Sequence, residues 1–136
     1  MRVIELTYQP LSPQALAERV QSGRSGAVVV FIGVVRGENE GRPVLYLEYE
    51  AFEPLAREKL QELVAEMKAR WGVDAVAIAH RLGRVEVGEV ATVIAVASAH
   101  RREAFEASQF GIEQLKARVP IWKKEVFQDG EHWAGG

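Results

Sequence analysis

Two lysines near the end of the sequence have a spacing that could bring them to one substrate. Lys116 lies in a segment with helical spacing of apolar residues, and Lys123 lies seven residues later in a segment typical of a strand. Because alternate strand residues share a face, Lys123 points with Ile121 and Lys124 points with Trp122. A lysine beside another cation becomes useful as an acid, base or nucleophile. Two ordinary solvated lysines would have the same spacing.

A second basic group lies at Ser98-Ala99-His100-Arg101-Arg102, where an apolar strand pattern gives way to a helical one. Unpaired N–H groups at the start of a helix favour anions, and two neighbouring arginines can fork onto a phosphate. The alternative is a solvated helix start that the histidine caps. The segment therefore indicates either a phosphate site or an ordinary charged helix terminus.

Arg36 follows an apolar run and opens a glycine-rich loop, a place where binding groups are usually displayed. The glycines of this loop fit neither a nucleotide-phosphate loop nor a dinucleotide fingerprint. His80 and Arg81 end another predicted strand, and a structural role is expected for both. The paired carboxylates of the sequence lack histidine partners at ligand spacing, so no metal site is expected.

Composition restricts the function classes. The chain has 136 residues, 48% of them apolar and 26% charged, which suits one globular domain spanning residues 1–136. A net charge of −2 does not favour nucleic acid or an anionic membrane as partner. There is no cysteine, so this chain supplies no thiolate nucleophile or disulfide. The first residues lack a long apolar stretch, and a cytoplasmic protein is expected.

The elements that must position these residues follow from hydrophobic periodicity. Strands are predicted at 3–7, 27–35, 44–49, 73–82, 89–97 and 121–127. Helices are predicted from Ser12-Pro13 to near Gly23, over 54–71, and over 103–118, where Pro120 ends the last one. The run 27–35 is almost continuously apolar, as expected of a strand covered on both faces. The order predicts an α+β fold with about three helices packed on a mixed β-sheet.

Five segments together resemble the molybdopterin synthase large (catalytic) subunit family, in order from about residue 26 to residue 133. They are Phe31-Ile32-Gly33-Val34-Val35-Arg36, Leu47-Glu48-Tyr49-Glu50, His80-Arg81-Leu82-Gly83, Ser98-Ala99-His100-Arg101, and Leu115-Lys116 through Pro120-Ile121-Trp122-Lys123-Lys124-Glu125. The His-Arg pair followed by Lys-x-x-x-Pro-x-Trp-Lys is the most specific part.

The resemblance implies an α/β hammerhead-type fold and a homodimer within a heterotetramer, with one small subunit at each end. That ubiquitin-like sulfur carrier would insert a Gly-Gly tail ending in a thiocarboxylate. The substrate would be cyclic pyranopterin monophosphate, and the product would carry the dithiolene sulfurs of molybdopterin. No cofactor is implied. The absence of cysteine agrees with this, since the partner would carry the sulfur.

The resemblance also assigns roles to residues. Lys116 and Lys123 would be catalytic, Lys116 toward the thiocarboxylate and Lys123 as general acid or base. The remaining substrate-binding residues would be Val34, Val35, Arg36, His100, Arg101, Lys124 and Glu125. In a dimer, His100 and Arg101 could serve the pocket of the neighbouring protomer. The terminal Gly135-Gly136 is expected to be an ordinary chain end and not a sulfur-carrier tail.

Two other functions fit parts of the same pattern. A non-catalytic dimeric module could use the same basic cluster to bind a phosphorylated small ligand without turnover. A single-stranded RNA binder would need exposed aromatics on one sheet face beside a basic surface. The aromatic residues are scattered and the net charge is negative, so the sequence disfavours the RNA binder.

Overall fold

The computed structural model describes residues 4–135, so Val3 of the first predicted strand and the terminal Gly136 lie outside the described residues. The elements, in chain order, are β1 (Ile4–Thr7), α1 (Pro13–Val20), β2 (Ala27–Val34), β3 (Glu38–Asn39), β4 (Arg42–Ala51), α2 (Glu53–Trp71), β5 (Ala75–Arg81), β6 (Gly83–Glu86), β7 (Val90–Ser98), α3 (Arg101–Arg118), β8 (Ile121–Phe127) and β9 (Gly130–Gly135). The predicted α+β class with three helices is confirmed. The short strands β3, β6 and β9 were not predicted.

The strands form two sheets where one mixed sheet was predicted. The first has the order β1-β5-β7-β2, with β1 and β5 parallel and the other neighbours antiparallel. The second has the order β3-β4-β8-β9 and is antiparallel, with β6 paired to β4. The second sheet therefore contains β8, which carries Lys123.

The first sheet is covered on both faces. Val76 and Ile78 of β5 belong to the core that packs against α2 and α3, whereas Ala77 and Ala79 pack against Leu16 of α1. This alternation places His80 on the same face as Val76 and Ile78, the face that α3 covers. A third cluster joins the two sheets beside β4 and β6.

The prediction that the run 27–35 is covered on both faces holds only for its first half. There Val28 and Val30 pack against the cluster that contains Leu16 of α1, and Val29 and Phe31 pack against the main core. β2 is the last strand in the order of its sheet, paired only to β7 among the described strands. Ile32 and Val34 are 45% and 53% exposed. The strands that are buried along almost their whole length are β5 and β7, which lie in the middle of the sheet. A continuous apolar pattern shows that a strand is hydrophobic but not where it lies in the sheet.

Local signals fix the three predicted helices, although α1 ends at Val20 and not near Gly23, and α3 begins at Arg101, two residues earlier than predicted. Ser12 caps α1 by accepting a hydrogen bond from the backbone N–H of Ala15, and Pro13 occupies the first turn. α3 ends at Arg118, two residues before Pro120, and β8 begins immediately afterwards. In the described part of the chain no helix is both long enough and apolar enough to cross a membrane.

Candidate functional site

A cavity of about 540 Å³ lies between the two sheets, beside the last turn of α3. Strands from both sheets, the segment after β2 and α3 all contribute to its lining. Its charged lining residues are Arg36, Glu38, Lys116, Lys123 and Glu125. Three cations against two carboxylates make the charge of this lining positive, which favours an anionic ligand.

The chain reversal at Pro120 brings the two lysines to one cavity. Lys116 lies in the last turn of α3, and Lys123 lies on β8 beyond the proline. Ile121, Lys123 and Glu125 all line the cavity, as the two-residue period of a strand requires. The predicted convergence of Lys116 and Lys123, and the shared face of Lys123 and Ile121, agree with this geometry.

The two lysines and Glu125 of the cavity lining differ in their exposure to solvent. Lys116 is exposed, Lys123 is half-buried, and Glu125 is only 5% exposed. The Nδ2 group of Asn39 donates a 2.8 Å hydrogen bond to Oε2 of Glu125. This bond ties the short strand β3 to β8 and compensates part of the cost of burying a carboxylate.

Tyr49 and His80 contribute a polar wall that sequence reasoning missed. The two rings meet edge to face with centroids 4.7 Å apart. Burial, reinforced by the charge of Glu125, raises the pKa of Tyr49 to about 12, so its hydroxyl keeps its proton. Only a structural role was expected for His80, but this residue also lines the cavity. Its spacing from Val76 and Ile78 predicts which face of the sheet the ring lies on, but it does not predict that a cavity lies there.

His80 is held as a neutral imidazole. Burial of the ring, with a smaller effect from the charge of Lys116, lowers its pKa to about 4, although the hydrogen bond to the backbone of Arg81 opposes the shift. Nδ1 lies 2.7 Å from the carbonyl oxygen of Arg81. The cavity therefore contains an uncharged histidine next to a lysine.

Two residues expected at the pocket do not line the cavity. Val35 is 3% exposed and packs in the cluster that joins the sheets, because it points away from the face that carries Val34. Lys124 lies on the opposite face of β8 from Lys123. Its Nζ pairs with Glu48 at 2.9 Å, and that hydrogen bond is the main reason that its pKa is raised. Both corrections follow from strand alternation.

His100 and Arg101 also lie away from this cavity. They line a second, more open depression at the start of α3, together with Gly26, Ala99 and Arg102. His100 occupies the N-cap position, but its side chain makes no capping hydrogen bond. Since a helix rises about 1.5 Å per residue, His100 and Lys116 are about 24 Å apart along the axis. Within one protomer they cannot hold the same small substrate.

The main cavity can bind an anion and perform acid–base or nucleophilic chemistry. Arg36 supplies a fixed positive charge that can fork onto a phosphate. Lys116 and Lys123 supply amines that can act as nucleophile or proton donor. Among residues 4–135, no three His, Asp or Glu side chains are grouped so that they could hold a metal ion.

Comparison with known proteins identifies the family. The sequence model of the MoaE protein family matches residues 6–118. The molybdopterin synthase catalytic subunit of Bacillus subtilis (strain 168) is 43% identical over 99% of this chain and 86% of its own length. The human protein of the same name is 41% identical over 98% of this chain and 71% of its own length.

Solved structures agree with the sequence comparison. Molybdopterin synthase from Staphylococcus aureus superimposes with a TM-score of 0.95 and 39% identity, covering 100% of this chain and 99% of that one. A chain in a complex of subunits 1 and 2 of molybdopterin-converting factor from Helicobacter pylori 26695 superimposes with a TM-score of 0.81 and 26% identity, covering 97% of this chain and 90% of that one. The predicted resemblance is thus confirmed, and the chain belongs to the MoaE family, together with the catalytic subunits of molybdopterin synthase.

Proposed function

We propose that this chain transfers sulfur from the thiocarboxylated C-terminus of a small ubiquitin-like carrier to cyclic pyranopterin monophosphate, as the catalytic subunit of a molybdopterin synthase. The observation that carries the proposal is the cavity that joins Lys116, Lys123 and Arg36. The names of the relatives support a catalytic subunit over a non-catalytic module that binds a phosphorylated ligand. We infer that the chain works as one domain in the cytoplasm.

The difference in exposure between the two lysines supports different tasks for them. A carrier tail that enters from solvent meets Lys116 first, because this side chain is exposed at the cavity. Its amine can pair with the thiocarboxylate while the sulfur bonds to the pterin and forms a thioester. The amine then attacks the thioester carbonyl, the C–S bond breaks and leaves the sulfur on the pterin, and water hydrolyses the resulting amide to release the carrier as a carboxylate. Lys123 is half-buried beside Glu125 and acts as general acid or base on the pterin. Arg36 holds the phosphate.

The supply of sulfur by a partner fits the composition of the chain. With no cysteine in the sequence, sulfur cannot be carried as a persulfide or thiolate of this subunit. The solved complex of subunits 1 and 2 of molybdopterin-converting factor supports a small partner subunit. The chain would therefore supply the site, and the carrier would supply the reactive group.

We place His100 and Arg101 in the pocket of a second copy. The distance of about 24 Å along α3 prevents them from reaching Lys116 of their own protomer. A two-fold dimer that brings the start of one α3 to the cavity of its partner would add these groups around the substrate. The working assembly is then a homodimer with one carrier at each end.

A reconstituted assay tests the proposal. Purified chain, thiocarboxylated carrier and cyclic pyranopterin monophosphate are mixed, and the dithiolene product is measured. Lys116→Ala and Lys123→Ala should each lower turnover by about 100-fold or more, the usual effect of losing an acid–base group or nucleophile. Lys59→Ala is the matched control, because Lys59 lies on α2 and, among the residues that the structure describes, forms an ion pair only with Glu62, at 3.5 Å. Full turnover in Lys116→Ala would contradict the assignment, and binding of both components without product would favour the non-catalytic module.

A further inference from the structure

The orientation of the His80 ring determines which ring nitrogen carries hydrogen. Nδ1 lies 2.7 Å from the carbonyl oxygen of Arg81, and a carbonyl oxygen can only accept. Nδ1 must therefore be the donor. A neutral imidazole has one N–H group and one lone pair, so Nε2 is an acceptor.

The acceptor nitrogen is directed to the cavity. The ring is 4% exposed and lines the cavity, and Tyr49 contacts it edge to face. Within residues 4–135, no group hydrogen-bonds Nε2, and Nε2 is not among the fully enclosed polar atoms that lack a partner. The lone pair of Nε2 is accordingly accessible from the cavity.

Lys116 is a hydrogen-bond donor of the same cavity whose charge acts on the His80 ring. β5 presents His80 on the face that α3 covers, and Leu115, the neighbour of Lys116, packs in the same core as Val76 and Ile78. Lys116 lines the same cavity, and no described carboxylate pairs with it. Other ionisable or charged residues of the lining are Arg36, Glu38, Tyr49, Lys123 and Glu125.

We propose that His80 is a positioning residue for Lys116: when the carrier tail enters the cavity, Nε2 of His80 accepts a hydrogen bond from Nζ of Lys116 and holds the amine toward the incoming acyl group. This inference rests on the proposed function, because it takes Lys116 as the reacting amine. His80 is a poor proton acceptor in this role, since burial and the nearby cation oppose a charged ring. It directs the amine and does not take its proton.

Two substitutions separate the acceptor from the structural bond. His80→Asn keeps a side-chain N–H close to the position of Nδ1 for the Arg81 carbonyl but has no acceptor at the position of Nε2. His80→Gln places an amide near the position of Nε2 but gives up the bond to Arg81. We expect His80→Asn to lower kcat about tenfold with little change in KM for the pterin, and His80→Gln to recover most of kcat while being the less stable variant.

The outcomes distinguish this inference from the proposed function. Unchanged kcat in His80→Asn, or losses in both variants that follow their loss of stability, would overturn the positioning role. Full activity in Lys116→Ala would instead overturn the proposed function itself. A third measurement needs no variant: ¹⁵N–¹H correlation spectra of the histidine rings in the wild-type protein report which nitrogen is protonated. A proton on Nε2 of His80 would overturn the inference, and a proton on Nδ1 supports it.

Discussion

The buried neutral state of His80 makes the stability of the fold depend on pH. The pKa of the folded ring is about 4, against 6.5 for an ordinary histidine. Between these two values the unfolded chain binds a proton that the folded chain does not. Stability therefore falls as the pH falls from 6.5 toward about 4, and this contribution is fully lost below about 4.

The size of the effect follows from the same values. A tenfold change in proton affinity corresponds to about 1.4 kcal/mol, so the fall in pKa from 6.5 to about 4 corresponds to about 3 to 4 kcal/mol of unfolding free energy. No discount for solvent screening is needed, because the ring is only 4% exposed. A loss of this size is a large fraction of the stability of a typical small domain.

Urea unfolding followed by circular dichroism at a series of pH values measures this contribution. His80→Asn is the control, because it keeps a donor for the Arg81 carbonyl but does not titrate. Carboxylates elsewhere titrate in both proteins, so the difference between the two unfolding free energies isolates the ring. Protein concentration is held constant, since assembly also stabilises the folded state. A difference that stays flat from pH 6.5 to 4 would refute the reasoning.

Two further predictions test the cavity and the assembly. Asn39→Ala removes the 2.8 Å hydrogen bond to Glu125 and should lower the unfolding free energy by about 1 to 3 kcal/mol in urea denaturation at neutral pH; a loss near zero would show that Glu125 does not depend on this partner. Lys116→Ala and Arg101→Ala should each be inactive alone, yet mixing them as unfolded and refolded chains should restore about a quarter of wild-type dithiolene synthesis. Half of such dimers are mixed, and each mixed dimer has one intact site. If the mixed dimers recover no activity, Arg101 does not contribute to the site of the partner protomer.

Periodicity predicted the part of the site that depends on one element at a time. The face shared by Lys123 and Ile121 follows from the two-residue repeat of a strand, and both residues line the cavity. The same rule placed Lys124 on the other face of the strand from Lys123, whereas the family resemblance grouped the two lysines in one pocket. The structure agrees with the strand geometry, since Lys124 pairs with Glu48 outside the cavity.

The parts that were missed depend on how elements are arranged in space. β5 is apolar at every position before His80, with Val76 and Ile78 on one face and Ala77 and Ala79 on the other. Such a pattern does not show which face of the strand has a cavity beside its last residue. The edge position of β2 could not be predicted either, because the order of strands in a sheet depends on pairing between distant parts of the chain.

In the proposed dimer, the two ends of α3 would supply the two halves of one anion site. Its last turn contains Lys116, whose charge is favourable near the negative end of the helix dipole. Its start offers unpaired N–H groups beside Arg101 and Arg102, which favour a phosphate. A substrate with a cyclic phosphate and a carrier with an anionic thiocarboxylate present two negative groups at once. A dimer that pairs the start of one α3 with the end of the other would place cations around both groups, so the activity would belong to the assembly and not to one folded chain.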